Sequence, residues 1–273
     1  MMTFAGTRRL GLACIIGLSL GLLNFYNEFR FSLKDATLAT GIGLFFIIVI
    51  LVSFNIRKKF PYLPLGKVSR WLKVHIYLAW FSIVVFFVHI EFRFPDGGLE
   101  LLVGCLFCLA AFSGVVGAWL SKIIPRRLTD NGGAIVYETI SIKRRAVRAK
   151  AEELILRSIK ETKKNTLADF YAYRLSDFFI GTWNYSSHLM NSNYLLKKFH
   201  SECEDLKRYL STEEIEIIEE LKLLIAEKNT LDEHYTLLNI MKYWLFIHVP
   251  LSYSLLVFGA LHGILALKMS GLM

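Results

Sequence analysis

The run from Val74 to Phe92, VHIYLAWFSIVVFFVHIEF, constrains this chain more than any other stretch. It is apolar over the length that a helix needs to cross a bilayer, about 20 residues. A segment in hydrocarbon has to satisfy its own backbone hydrogen bonds, so such a run folds as a helix. Yet it carries two histidines, His75 and His89, fourteen residues apart. Fourteen residues turn a helix through about 1400°, about 40° short of four turns, so both imidazoles share one face, roughly 21 Å apart along the axis. The last apolar stretch repeats the spacing, with His248 and His262 in HVPLSYSLLVFGALH. Ionisable side chains are rare inside membrane segments and usually have a function there.

Composition agrees with a membrane chain. Of 273 residues 54% are hydrophobic and only 5 are proline, which points to an all-α integral membrane protein. The formal net charge of +9 follows no recognition motif and largely flanks the apolar runs, so membrane orientation explains it and nucleic acid is not an expected partner. The loop NIRKKFPYLPLGKVSRWLK holds Arg57, Lys58, Lys59, Lys67, Arg70 and Lys73 and no acid, which places it on the cytoplasmic side. Pro61 and Pro64 break any helix there.

Five spans are expected. The first, Leu10 to Phe25, follows Arg8 and Arg9 and reads as a retained span, since no small-x-small cleavage site precedes Asn27. The second covers Ala36 to Phe54, and the third carries His75 and His89. A turn at Pro95-Asp96-Gly97 leads into the fourth, Leu101 to Leu120, which ends at the basic pair Arg126 and Arg127. The fifth runs from Ile240 to Leu267, with Pro250 expected to kink it near His248. The organisation is then residues 1–121 as spans one to four, 122–236 as a mostly helical cytoplasmic insert, and 237–273 as the fifth span completing the bundle. The N-terminus and the insert face the cytoplasm, and a bacterial inner membrane is the expected location, with lipid the surrounding partner.

Within the insert, GGAIVYETISI suggests a short strand pair and the rest reads as helices. One helix covers Lys143 to Lys163 and is rich in Lys and Arg; its solvated face is a candidate docking surface for an acidic partner or anionic lipid. Asn165 is a candidate cap for a helix to Phe179, and another spans Asn193 to Tyr209. Ser211-x-x-Glu214 forms a capping box, before a helix whose Ile217, Ile218, Leu221, Leu224 and Ile225 share one face. Thr230-x-x-Glu233 reads as a second capping box opening the last helix.

Spans three and five have one span between them, so they run parallel. His75 then matches His248 in depth, and His89 matches His262. Two imidazoles are an incomplete set for zinc, which takes four ligands. They complete a haem, whose plane already supplies four nitrogens. The expected cofactors are therefore two haem b groups, His75 and His248 binding one and His89 and His262 the other, with a quinone as a candidate further ligand. Cys105 and Cys108 do not make a c-type attachment site, because Leu109 and not a histidine follows. Lys58, Arg70 and Lys73 are candidate propionate partners on the inner side and Arg93 or Lys268 on the outer, while Trp71, Tyr77 and Trp80 can pack on porphyrin or on the membrane interface. The small residues Ser113-Gly114-Val115-Val116-Gly117 allow a neighbour to approach closely, whether a helix or a porphyrin face.

On His75, His89, His248 and His262 the chain resembles the membrane domains of the ferric reductase and NADPH oxidase group, and more loosely cytochrome b561 and respiratory cytochrome b. The resemblance covers the spans, about half of the chain, and implies a helical bundle with one b haem near each face. It implies transmembrane electron transfer between a quinol or partner protein and an acceptor. Those reductases carry a flavin and nicotinamide module after the last ligand helix. Here Met273 lies eleven residues past His262, and the insert has no G-x-G-x-x-G fingerprint, so direct oxidation of a nicotinamide by this chain is not expected. The insert is also larger than that group's compact membrane domain. A rival reading is a metal-ion or proton-coupled transporter that uses the same histidines; a third is a membrane-anchored interaction protein whose insert is the working part.

Overall fold

The computed structural model describes residues 4–32, 36–59, 66–93, 95–130, 137–181, 185–190 and 192–271. They form α1 (Phe4–Ser32), α2 (Ala36–Lys59), α3 (Val68–His89), α4 (Gly98–Asp130), α5 (Tyr137–Thr162), α6 (Thr166–Phe170), α7 (Ser176–Ile180), α8 (Tyr185–Leu189), α9 (Tyr194–Leu206) and α10 (Thr212–Met269). A π-helical turn, Tyr171–Leu175, joins α6 to α7, and a 3₁₀ turn, Lys207–Tyr209, follows α9. No strand occurs among the described residues, so the all-helical class holds. Four of the described helices are long and apolar enough to cross a membrane, over Ala36–Asn55, Val68–His89, Gly98–Thr129 and Thr212–Met269. These are the helices of an integral membrane protein. At 58 residues α10 is about 87 Å long, far beyond one bilayer core, so its apolar portion at 240–267 is the part suited to cross.

The chain divides into two compact units, Met1–Trp119 with Trp244–Met273, and Leu120–Tyr243. In the first, α3 packs against α1 and α2. Its core takes Leu44, Ile48 and Val52 from one stripe of α2, Val85 and Phe86 from α3, Phe107 from α4 and Leu255 from α10. Phe86 and Phe107 stack with ring centres 4.1 Å apart. Ser82 is buried seven residues from both His75 and His89, and Leu255 is buried seven residues from both His248 and His262. The packed layer therefore lies midway between the two histidine levels on each helix. At the end of α3, Ile90 N–H donates to the Phe86 carbonyl, and Glu91 and Phe92 then turn at φ 51° and 57°, the left-handed region that closes helix ends. Glu91 is held there by the Tyr26 hydroxyl, 2.8 Å from its Oε1. Phe94, inside the connection read as a turn, lies outside the described residues.

The second unit closes around Ile140, Val147, Ala151 and Ile155 of α5, Phe178 and Phe179 of α7, Phe199 and Cys203 of α9, and Ile217, Ile218, Leu221 and Ile225 of α10. The shared face expected for the last group is therefore the buried one; Leu224 packs at its margin. The Ser211–Glu214 capping box forms, with Ser211 N–H donating to Glu214 Oε2 at 2.9 Å and Glu214 N–H to Ser211 Oγ at 3.4 Å.

Three local expectations change. Tyr137 to Ile142, read as part of a strand pair, begin α5, because burying Ile140 with Val147 and Ala151 requires helical spacing; residues 132–136 of that stretch lie outside the described set. Asn165 precedes α6 but makes no side-chain cap. Thr230 and Glu233 do not open a helix, since α10 runs through them without a break. Thr230 Oγ1 donates back to the Ala226 carbonyl at 3.1 Å, and Glu233 accepts from Arg127 Nη2 at 2.6 Å.

Charge is also buried in this unit. Lys228 and Asp232 are fully buried and paired one turn apart; Arg144 Nε lies 3.0 Å from the other Asp232 oxygen, and Lys228 donates to the Gly181 carbonyl at 2.6 Å. Breaking a buried ion pair by removing one partner leaves an uncompensated charge. Asp232→Ala should therefore destabilise the protein by about 3–5 kcal/mol, read as a lower thermal-unfolding midpoint in detergent. An unchanged midpoint contradicts this.

On the surface, the Glu204 carboxylate is held by Lys207 and Lys222, which bring its pKa down to about 2 from an ordinary 4.5. The folded state then binds fewer protons than the unfolded state between those values. This contribution is present above pH 4.5 and disappears as pH falls towards 2. Wild type should lose more stability than Glu204→Gln between pH 5 and about pH 2.5, and high salt should narrow the difference, because exposed pairs are screened.

Candidate functional site: the membrane histidines

All four membrane histidines belong to the first unit. His89 is the last residue of α3, and His262 lies two turns before the end of α10. The fold brings these two together, with ring centroids 6.4 Å apart and ring planes at 73°. This is one of the two couples expected from span order together with spacing. Of the other couple, His75 lies against Phe54 of α2, with ring centroids 5.2 Å apart. His248 is stacked on Trp244, with centroids 5.1 Å apart and planes at 18°, and its Nδ1 is 3.2 Å from Ser113 Oγ of α4.

The protonation of His89 follows from its partner. Its Nδ1 lies 3.0 Å from the Thr37 main-chain carbonyl, which can only accept, so Nδ1 carries the hydrogen and donates it. Nε2 is then the nitrogen with a free lone pair, as a metal ligand requires. Thr40 Oγ1 stands 3.4 Å from the same Nδ1 and also donates to the Thr37 carbonyl at 2.9 Å. Gly41 completes the cradle. A Cβ there would sit 2.8 Å from His89 Cε1, so the imidazole occupies the space that any side chain would need.

The spacing of the His89 and His262 rings has a chemical meaning. Metal–imidazole bonds run about 2.0 Å, so two nitrogens on opposite sides of one ion stand about 4 Å apart and their ring centres about 6.3 Å. The observed centroid separation, 6.4 Å, is close to that value. Among the described residues no three His, Cys, Asp or Glu side chains converge as a metal shell. Two imidazoles alone leave a bare ion under-coordinated, whereas a porphyrin supplies the remaining four donors.

No protein-family model, curated protein or solved structure matches the chain.

The small-residue stretch of α4 receives a helix. Trp244 Nε1–H donates to the Ser113 carbonyl at 2.8 Å, and the indole lies over Gly117, where a Cβ would fall 1.9 Å from Trp244 Cζ2. Gly114 borders His248, with 3.8 Å left between a Cβ and Cε1. Tyr77 fills a similar notch at Gly11 of α1, and Trp80 is about half exposed on the outside of α3. The candidate propionate partners Arg70, Lys73, Arg93 and Lys268 are exposed, and the Lys58 side chain lies outside the described set. His188 and His234 are buried in the second unit, where His188 Nε2 meets no hydrogen-bond partner among the described residues.

Sequence reasoning did not find Thr37, Thr40, Gly41 or Trp244. The Thr37-x-x-Thr40-Gly41 turn was a usable signal, being polar and small inside an otherwise apolar span. Trp244, one helical turn before His248, was another. Overpacking a tight site typically costs about 1–3 kcal/mol. Gly117→Val should therefore lower the thermal-unfolding midpoint of the purified protein by displacing Trp244, and a midpoint equal to wild type contradicts the close packing.

Proposed function

We propose that the chain is a transmembrane electron carrier, a di-haem b-type cytochrome whose membrane part is a bundle of five spans. In this reading α1 is the first span, and the insert at 122–236 is cytoplasmic along with the N-terminus. The inner haem would take His75 and His248, and the outer one His89 and His262. The observation that carries the reading is the approach of His89 and His262 at 6.4 Å with the His89 proton fixed on Nδ1. The equal spacing of His75 and His248 on the same two helices extends it to a second level.

A haem held by these residues would supply one-electron redox chemistry. The protein's own residues do the rest. Thr37 and Gly41 hold His89 with Nε2 free, and Ser113 and Trp244 orient His248. The buried layer around Ser82, Phe86 and Leu255 keeps water from the space between the levels. A quinol or a partner protein would supply electrons on one side, and an acceptor would take them on the other. The bacterial inner membrane is the setting that this arrangement suits. The transporter reading has less support, because a transported metal ion needs more ligands than the two imidazoles that meet here.

Two measurements test the proposal. The purified protein should show sharp b-type bands on reduction and bind two haems per chain, and His89→Ala should remove about half of that haem. A colourless protein, or one in which His89→Ala leaves the haem content unchanged, overturns it.

A further inference from the structure

We propose that Ser113 is a positioning residue for His248, and that its hydroxyl sets the ligand strength of this imidazole, so that one side chain tunes one redox centre and leaves the other unchanged. The inference rests on the two-haem reading above. Three restraints converge on His248. Its Nδ1 is 3.2 Å from Ser113 Oγ; its ring is stacked at 18° on Trp244; and Trp244 is itself tied through Nε1–H to the Ser113 carbonyl at 2.8 Å and seated over Gly117. Ser113 thus holds both rings, one by its side chain and one by its main chain. It is buried, at 9% exposure, so water does not compete for the hydroxyl.

A histidine that binds iron through Nε2 keeps its proton on Nδ1, and that proton needs an acceptor in the membrane interior. For His248 the acceptor is the Ser113 hydroxyl. For His89 it is the Thr37 main-chain carbonyl, at 3.0 Å. An acceptor on Nδ1–H makes the imidazole a stronger donor to the metal and so favours the ferric state. The main-chain acceptor stays whatever side chain occupies position 37, whereas the hydroxyl is lost with one substitution. The two levels are therefore separately adjustable, and Ser113 is the handle for the inner one.

The test is a redox titration of the haem-loaded protein, following the b-type bands. Wild type should titrate in two steps. Ser113→Ala should keep both haems and move one midpoint potential upward while the other stays in place, and Ser113→Thr, which keeps the hydroxyl, should restore it. In the His89→Ala background, where only the inner haem remains, Ser113→Ala should still shift that single step. Should Ser113→Ala fail to accumulate, Ser113→Cys supplies a similar size with a weaker acceptor and should shift the same step upward. Unmoved potentials in a protein that keeps both haems, or equal movement of both, overturn the role of Ser113 alone. A wild-type protein without haem bands overturns the two-haem reading and this inference together.

Discussion

An imidazole inside a bilayer needs a partner for its N–H, because lipid offers none and leaving a polar group unpaired there is expensive. Much of the first unit can be understood from that constraint. His89 meets it by donating to the Thr37 carbonyl, so α2 has to lie close to the end of α3. Gly41, one turn beyond Thr37, has to be a glycine because the ring fills the place of its side chain. His248 Nδ1 pairs with the Ser113 hydroxyl, so α4 and α10 approach at that level, and Gly117 is the notch that lets Trp244 in. The histidines, their two hydrogen-bond partners and the glycines are thus parts of one packing solution. A change in any of them is felt at the imidazoles.

The same constraint explains which features were legible in the sequence. Fourteen-residue spacing is a property of one helix, so a repeated H-x13-H can be read without knowing any neighbour. The pairing of His89 with His262 followed from span order and parallel direction. What holds His89 was hidden, because a main-chain carbonyl has no letter of its own; Thr37 could be any residue and still accept. The stretch from Ser113 to Gly117 announced a close approach but not its partner. The partner is Trp244, whose place is set by its position one turn before His248.

In the insert the misreadings came from local signals outweighed by burial. Ile140 and Ile142 in YETISI suit a strand, yet Ile140 is fully buried at helical spacing from Val147 and Ala151. Thr230-x-x-Glu233 has the letters of a capping box, but apolar periodicity continues through it from Ile225 to Leu231, and a helix already under way leaves nothing to cap. Ser211-x-x-Glu214 has the same letters and does cap, because Leu210 before it is extended and the first turn of α10 has free N–H groups. The difference between the two lies in what precedes them.

The packed core of the first unit lies between the two histidine levels. Ser82 and Leu255 mark the midpoint of each histidine interval, and Val85, Phe86 and Phe107 fill the same layer. The side chains named here carry no ionisable group, and the Ser82 hydroxyl donates to its own helix at the Ala79 carbonyl, 2.8 Å away. In the proposed reading, a charge at one level would find no titrating group among these packed side chains. This apolar packing would then offer no proton path along the route an electron takes between the levels. Under the proposed reading, histidines at two depths with this layer between them would let electrons cross the membrane where protons do not.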